Sequence, residues 1–268
     1  MGGDVSVFRN SGGGAFSPQA RFDAGWGPWG ICAGDLNGDG LADLATADNY
    51  GGTVSVLLNS GGGAFRPRAS CPAQYQGPQA VAAGDLNRDG RPDLAVAIAG
   101  GTGYVGLFYG RADGGFAPVT LLNSLPFGNG PDSLAVGDLN RDGWLDIVAV
   151  NSGRAEVDVF LARGDGGFRA QTAFDAGFGQ FSVALADLDA DGKLDAVVPN
   201  GSFNTTNEGA VSVLLGNGDG TFRARLRFDA GANPQSVVSV DLDGDGRPDL
   251  AVASANSKTV NVLLNRCQ

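Results

Sequence analysis

The sequence predicts an all-β fold, a five-bladed β-propeller of four-stranded antiparallel blades that forms one domain over residues 1–268. Three observations lead there. An acidic segment recurs five times at a spacing near fifty residues, the composition favours short strands and tight turns, and the apolar pattern changes in the same way along every repeat.

The segments DLNGDGLAD (35–43), DLNRDGRPD (85–93), DLNRDGWLD (138–146), DLDADGKLD (187–195) and DLDGDGRPD (241–249) lie 50, 53, 49 and 54 residues apart. A period in this range signals supersecondary units that bury their apolar faces against one another. The chain holds 45 Gly and no His, and every acidic residue except Glu156 and Glu208 is Asp. Such residues make turns, and with Val and Leu between them they describe strands rather than helices.

Each unit has the same internal order. An apolar run such as Ile31-Cys32-Ala33 enters the acidic loop, and a second run such as Leu94-Ala95-Val96-Ala97 leaves it. A third segment alternates, as in VSVLL from Val54, and a Gly-rich turn leads to a fourth opened by Phe16, Phe65, Phe116, Phe168 or Phe222. Four strands of about 5–6 residues with their turns use the whole repeat. The first strand, made of small apolar residues, is expected to be buried on both faces, and the third to be half exposed, which is the gradient of a radial blade. The N-terminal strand over Phe16 to Asp23 is expected to complete the last blade, with Val260 to Leu264 beside it in preference to Val5 to Phe8.

The acidic loops read as calcium sites. Side chains at positions 1, 3, 5 and 9 and the main-chain carbonyl at position 7 can surround one ion if the chain curls, and the glycine at position 6 permits the curl. This nominates Asp35, Asn37, Asp39, Leu41 and Asp43 in the first loop, and Asp85, Asn87, Asp89, Arg91 and Asp93 in the second. The third offers Asp138, Asn140, Asp142, Trp144 and Asp146. The fourth offers Asp187, Asp189, Asp191, Lys193 and Asp195, and the fifth Asp241, Asp243, Asp245, Arg247 and Asp249. Hard oxygen donors in this number suit calcium, whereas zinc would want His or Cys.

Turn formation alone does not require an acid three residues after the tight glycine, and all five copies carry one. Seventeen of the 29 acidic residues lie in these loops, so five divalent ions would bring the formal net charge from −11 to −1. The ions are therefore expected to be structural. Sites of the extracellular type bind at ~10⁻⁴ to 10⁻³ M, which points to an exported or cell-surface protein.

With these loops and the preceding segments GWGPWGICAGD, YQGPQAVAAGD, GNGPDSLAVGD and GANPQSVVSVD, the chain resembles the FG-GAP and VCBS repeat proteins, the family of the integrin α-subunit propeller. Pro28, Pro78, Pro131 and Pro234 share one repeat position, where the fourth repeat has Gln180. The resemblance implies the propeller and its calcium. Adhesion does not follow from it, and several fungal lectins that bind sugars look similar.

If the calcium hairpins occupy one face, the other face collects the remaining turns, with Trp26, Trp29, Tyr50, Tyr75, Tyr104, Phe127, Phe178 and Phe181 as candidate ligand-binding residues. Aromatic rings on loops stack on sugars or anchor protein partners. Asp48, Asp132 and Glu208 are nearby acceptors, and Asp23, Asp175 and Asp229 read as turn caps.

The expected function is a binding module for carbohydrate or an extracellular protein, with a purely structural or adhesion repeat scaffold as one alternative. Without histidine, Ser-His-Asp and Cys-His catalysis are excluded, so the enzymatic alternative is a polysaccharide hydrolase or lyase using carboxylates. Cys32, Cys71 and Cys267 have no metal-site spacing. Dispersed arginines argue against nucleic acid, and the absence of an apolar run of ~18 residues against a membrane-spanning helix.

Overall fold

Backbone groups in a chain so rich in β-branched residues and glycine find their partners across strands, and the computed structural model shows this over residues 2–122, 130–201 and 209–266. The chain divides into two compact units, Met1–Leu122 and Asn123–Gln268. No helix occurs among the described residues.

The first unit contains β1 (Asp4–Val7), β2 (Asn10–Gly12), β3 (Ala15–Phe16), β4 (Ala20–Asp23), β5 (Pro28–Gly34), β6 (Asp43–Asp48) and β7 (Thr53–Leu57). It continues with β8 (Asn59–Gly61), β9 (Ala64–Phe65), β10 (Ala69–Pro72), β11 (Pro78–Gly84), β12 (Asp93–Ile98), β13 (Tyr104–Phe108) and β14 (Thr120–Leu122). Two four-stranded antiparallel sheets result, β5-β6-β7-β10 and β11-β12-β13-β14, with β1 and β4 paired separately.

The second unit contains β15 (Ser133–Gly137), β16 (Asp146–Val150), β17 (Glu156–Phe160), β18 (Thr172–Asp175), β19 (Ala184–Ala186) and β20 (Asp195–Asn200). Then follow β21 (Ala210–Leu214), β22 (Leu226–Asp229), β23 (Pro234–Val240), β24 (Asp249–Ser254) and β25 (Thr259–Leu263). Here β15-β16-β17-β18 and β19-β20-β21-β22 are four-stranded, and β23-β24-β25 has three strands. Every acidic loop joins the first and second strands of a sheet, where the sequence places it.

Four expectations need correction. The first strand is not the buried one: β5 alternates between exposed and half-buried residues, whereas β12, β16 and β21 are buried throughout and β7, β13 and β17 nearly so. The first strand lies at the end of its sheet, so one edge has no strand partner. Its small residues serve close approach: a Cβ on Gly30 would lie 2.5 Å from the carbonyl oxygen of Gln79 in the neighbouring first strand β11.

The N-terminal strand does not complete the last sheet. β4 pairs with β1, from Asp4↔Asp23 to Val7↔Ala20, and Arg21 bridges Asp4 at 2.7 Å. A partner reached through a short connection costs little loop-closure entropy, and Val5 gains burial from the pairing. The fourth segment is also split. Phe16 and Phe65 sit in short hairpins, β2-β3 and β8-β9, and Phe116, Phe168 and Phe222 in single bridges, before the main fourth strand begins.

Asp23 and Asp175 are not turn caps. Asp23 accepts from Arg68 Nε at 2.9 Å and Asp175 from Arg225 Nε at 2.8 Å, each arginine belonging to the next repeat. Beside these ion pairs, Phe22 meets Phe65 and Phe174 meets Phe222 edge to face, with ring centroids 4.9 and 5.5 Å apart. Successive repeats are thus stapled at their outer strands.

Candidate metal loops and aromatic face

The acidic loops are shaped by their own main chain. Position 6 has a positive φ in all five copies, as at Gly40 (84°) and Gly192 (79°). Position 4 does too, though only Gly38 and Gly244 are glycines there; Arg88, Arg141 and Ala190 take the same left-handed conformation. Amides turned inward by this curl meet the position-1 carboxylate. Asp35 accepts from Gly38 at 2.8 Å, Asp39 at 3.0 Å and Gly40 at 2.8 Å, and these N–H groups, chiefly that of Gly40, hold its pKa below the ordinary value.

The position-9 carboxylate has a second task that the sequence reading missed. Asp43 is fully buried; one oxygen accepts from the amide of Leu36 at 2.9 Å and the other from the amide of Asn59 at 2.7 Å. Asp93, Asp146, Asp195 and Asp249 repeat the arrangement with the amides of Leu86 and Gly110, Leu139 and Ala162, Leu188 and Gly216, and Leu242 and Asn265. This side chain therefore ties the acidic hairpin to the end of the third strand. Its presence in all five repeats was the available signal.

Burial raises Asp93 and Asp146 to about 6, helped by the like charges of positions 5 and 1. Asp195 is raised too, by burial first and then by the like charges of Asp189 and Asp191 at positions 3 and 5.

In the fourth and fifth loops the acids at positions 1, 3 and 9 converge: Asp187, Asp189 and Asp195, and Asp241, Asp243 and Asp249, each set with oxygens within 4.8 Å of one another. These groups could hold a metal ion. In the first three loops position 3 is Asn37, Asn87 or Asn140, whose amide donates to the position-5 carboxylate at 3.0, 3.3 and 2.8 Å. Position 5 is otherwise engaged by position 7: Arg91 meets Asp89 at 3.0 Å, Lys193 meets Asp191 at 2.7 Å and Arg247 meets Asp245 at 3.0 Å. Position 7 was nominated for its carbonyl at Leu41, Arg91, Trp144, Lys193 and Arg247, and three of those side chains partly neutralise the loops. An all-oxygen donor set of carboxylates and amides fits a hard divalent cation.

The first unit brings its aromatic candidates together. Tyr50 sits in the turn between β6 and β7, which is tied to the bend entering β5 by Asn49 N–H to Gly27 C=O at 2.8 Å and Gly51 N–H to Trp26 C=O at 2.9 Å. Its ring lies over Gly27, where a Cβ would come within 2.4 Å of the ring, and it is flanked by Trp26 and Trp29 at centroid distances of 5.7 and 6.2 Å. All three remain open to solvent, 57%, 59% and 52% exposed for Trp26, Trp29 and Tyr50. Below them, Asp48 is fully buried and accepts from Thr46, Thr53 and Ser55 hydroxyls at 2.8, 2.9 and 2.6 Å.

Tyr75 and Tyr104 stack at 4.8 Å with an interplanar angle of 9°, and their segment joins the Tyr50 turn through Gly77 N–H to Asn49 C=O at 2.9 Å. In the second unit Phe178 is exposed and Phe181 half-buried. Phe127 and Glu208 lie outside the described residues, as does Cys267. Asp132, just before β15, accepts from the amide of Ser152 in the turn between β16 and β17. Burial pushes the Cys32 thiol up to about 11, and burial likewise raises Cys71, so neither is a ready thiolate.

The model of the FG-GAP-like repeat matches residues 2–46, 35–96, 95–149, 138–198 and 203–252. The chain belongs to the FG-GAP-like repeat family. No curated protein matches it. Among solved structures, it is similar to a candidate 6-phosphogluconolactonase of Bacteroides uniformis, with 16% identity over 97% of this chain and 73% of the other and a TM-score of 0.70. It is also similar to a periplasmic gluconolactonase of Pseudomonas aeruginosa, with 21% identity over 98% and 77% of the two chains and a TM-score of 0.68. At these identities the likeness of this FG-GAP protein to both is one of fold.

Proposed function

We propose that this chain is a calcium-braced β-propeller module, exported from the cell, that binds carbohydrate through its aromatic turns. The first strands of successive sheets stand side by side within each unit, β5 by β11 and β19 by both β15 and β23, which suits blades around an axis. Calcium in the acidic hairpins would offset crowded carboxylates at the opposite end of each sheet from the aromatic turns, and its binding energy would add to folding.

The observation that carries the binding reading is the exposed group of Trp26, Trp29 and Tyr50. Three large rings held on a glycine-lined, hydrogen-bonded turn give a preformed apolar surface, and sugar rings present matching C–H faces. A glycan array probed in calcium, with Trp29→Ala as control, tests it: sugar hits lost in the variant support the reading. Silence across the array would favour a protein partner.

A second reading, hydrolysis of a sugar lactone, is favoured by the fold likeness to gluconolactonases. Against it, the carboxylate at the base of the Tyr50 turn, Asp48, is buried and committed to three hydroxyl donors. Turnover of gluconolactone above the uncatalysed rate would establish it.

A further inference from the structure

A groove recurs within each unit between the fourth strand of one sheet and the phenylalanine segment of the next. In the first unit it is a cavity of about 450 Å³ whose lining includes Cys71, Pro72, Phe116, Ala117 and Val119. In the second unit it is a cavity of about 560 Å³ lined by Phe174, Asp175, Phe222, Arg223, Arg225 and Arg227, with Ala224. By repeat position Cys71 corresponds to Phe174, Pro72 to Asp175, Ala117 to Arg223 and Val119 to Arg225. The first unit makes the groove with uncharged residues at these places, so shaping it does not require the arginines.

Arg223, Arg225 and Arg227 stand at alternate positions in and just before β22, and alternate side chains of an extended chain turn to one side. No other repeat carries arginine at all three places. The lining thus sets three positive charges against one acid, Asp175, in a chain of formal net charge −11. Asp175 accepts from Arg225 Nε at 2.8 Å, Asn217 Oδ1 accepts from Arg223 Nε at 3.3 Å, and Arg227 meets Asp229 at 3.4 Å. The first two contacts each use Nε, one of the five N–H donors of a guanidinium, and steady the group. Like charges gathered on one side of a strand repel, and a bound anion would relieve them.

Beside the charges stands an apolar wall. Phe222 is buried and Phe174 half-buried, the two rings meeting edge to face. Guanidinium forks match carboxylate and sulfate oxygens, and an aromatic ring matches the C–H face of a sugar, so the two walls together suit a sugar that carries an oxyanion. A nucleic-acid strand would run from these three arginines onto a chain that repels it.

We propose that the groove of the second unit binds an acidic sugar, a uronate or a sulfated residue, with Arg223 and Arg227 taking its oxyanion and Phe174 its apolar face. The class of ligand rests on the carbohydrate reading above; the site does not, since it shares no residue with Trp26, Trp29 and Tyr50.

Calorimetric titration of the intact chain with glucuronate and with a glucose sulfate ester, beside glucose and inorganic sulfate, tests it. One or both acidic sugars should bind more tightly than glucose and than inorganic sulfate, and the tighter of the two identifies the group. Arg223→Ala and Arg227→Ala should each weaken that binding about tenfold, the worth of one charged hydrogen bond. Both side chains are exposed and Arg225 stays in its ion pair, so the variants should keep the wild-type melting curve. Trp29→Ala should leave acidic-sugar binding unchanged, and acidic sugars that bind through the arginines while neutral glycans stay silent would support this site and sink only the aromatic one. No binding of either acidic sugar overturns the proposal. So does binding that survives the Arg223→Ala/Arg227→Ala double variant, inorganic sulfate held as tightly as the sugars, or a single-stranded oligonucleotide held more tightly than both.

Discussion

Arg225 donates from Nε to the Asp175 carboxylate at 2.8 Å across fifty residues of sequence, and this bond joins the outer strands of two consecutive sheets. It runs beside the Phe174–Phe222 ring contact, so one staple has a polar and an apolar half. The halves should not weigh equally. Arg225→Ala removes an ion pair whose carboxylate is 70% exposed and should cost about 0.2–1 kcal/mol. Phe222→Ala empties a buried site and should cost about 3–5 kcal/mol. Denaturant melts of both variants check the ranking.

Positions 5 and 9 of an acidic loop should separate in their response to calcium. Asp146→Ala strands the buried amides of Leu139 and Ala162, so it should lose about 2–4 kcal/mol in chelator as well as in calcium. Asp142→Ala changes an exposed side chain and should differ from wild type only when calcium is present. Thermal melts with calcium and with chelator decide, and a calcium-independent wild-type melt would remove the metal from the account.

Asp158 supplies the pH test. Burial, with Arg154 opposing and Glu156 adding, raises its pKa to about 6. Its folded value is therefore above the unfolded value of about 3.9, so the native state binds the proton more tightly. The sign follows: stability from this group is present below pH ~4 and falls as pH rises through about 6. Asp158→Asn keeps an acceptor for Gln171 Nε2, now at 2.9 Å, and should stabilise by about 1–3 kcal/mol at pH 7.5. The gain should vanish near pH 4, as melts at the two pH values will show.

Ala190 holds φ at 58° without a glycine. A side chain in that region costs about 1–2 kcal/mol, part of which glycine returns through its freedom in the unfolded chain. Ala190→Gly should therefore raise stability by about 0.5–1 kcal/mol, measurable by urea titration.

Much of the architecture was legible because the repeat supplied five readings of one pattern. The acidic hairpins, the order of strand types and the turn positions of Trp26 and Tyr50 depend on local rules, namely glycine at position 6 and alternation over five residues. The staples were not legible. Arg225 and Asp175 are fifty residues apart, and nothing in either neighbourhood says that a turn cap is really an ion-pair partner. Position 9 was read for its oxygen donors, yet its buried hydrogen bonds to Leu139 and Ala162 depend on a third strand arriving from elsewhere.

By itself, the sequence determined the all-β repeat, its family and the five acidic loops, since each is encoded within about ten consecutive residues. Only the tertiary structure decided that β4 pairs with β1 and that the second and third strands of the four-stranded sheets are buried more deeply than the first. Those outcomes turn on which distant segments compete for the same edge or socket, and that competition is settled by packing between repeats rather than within them.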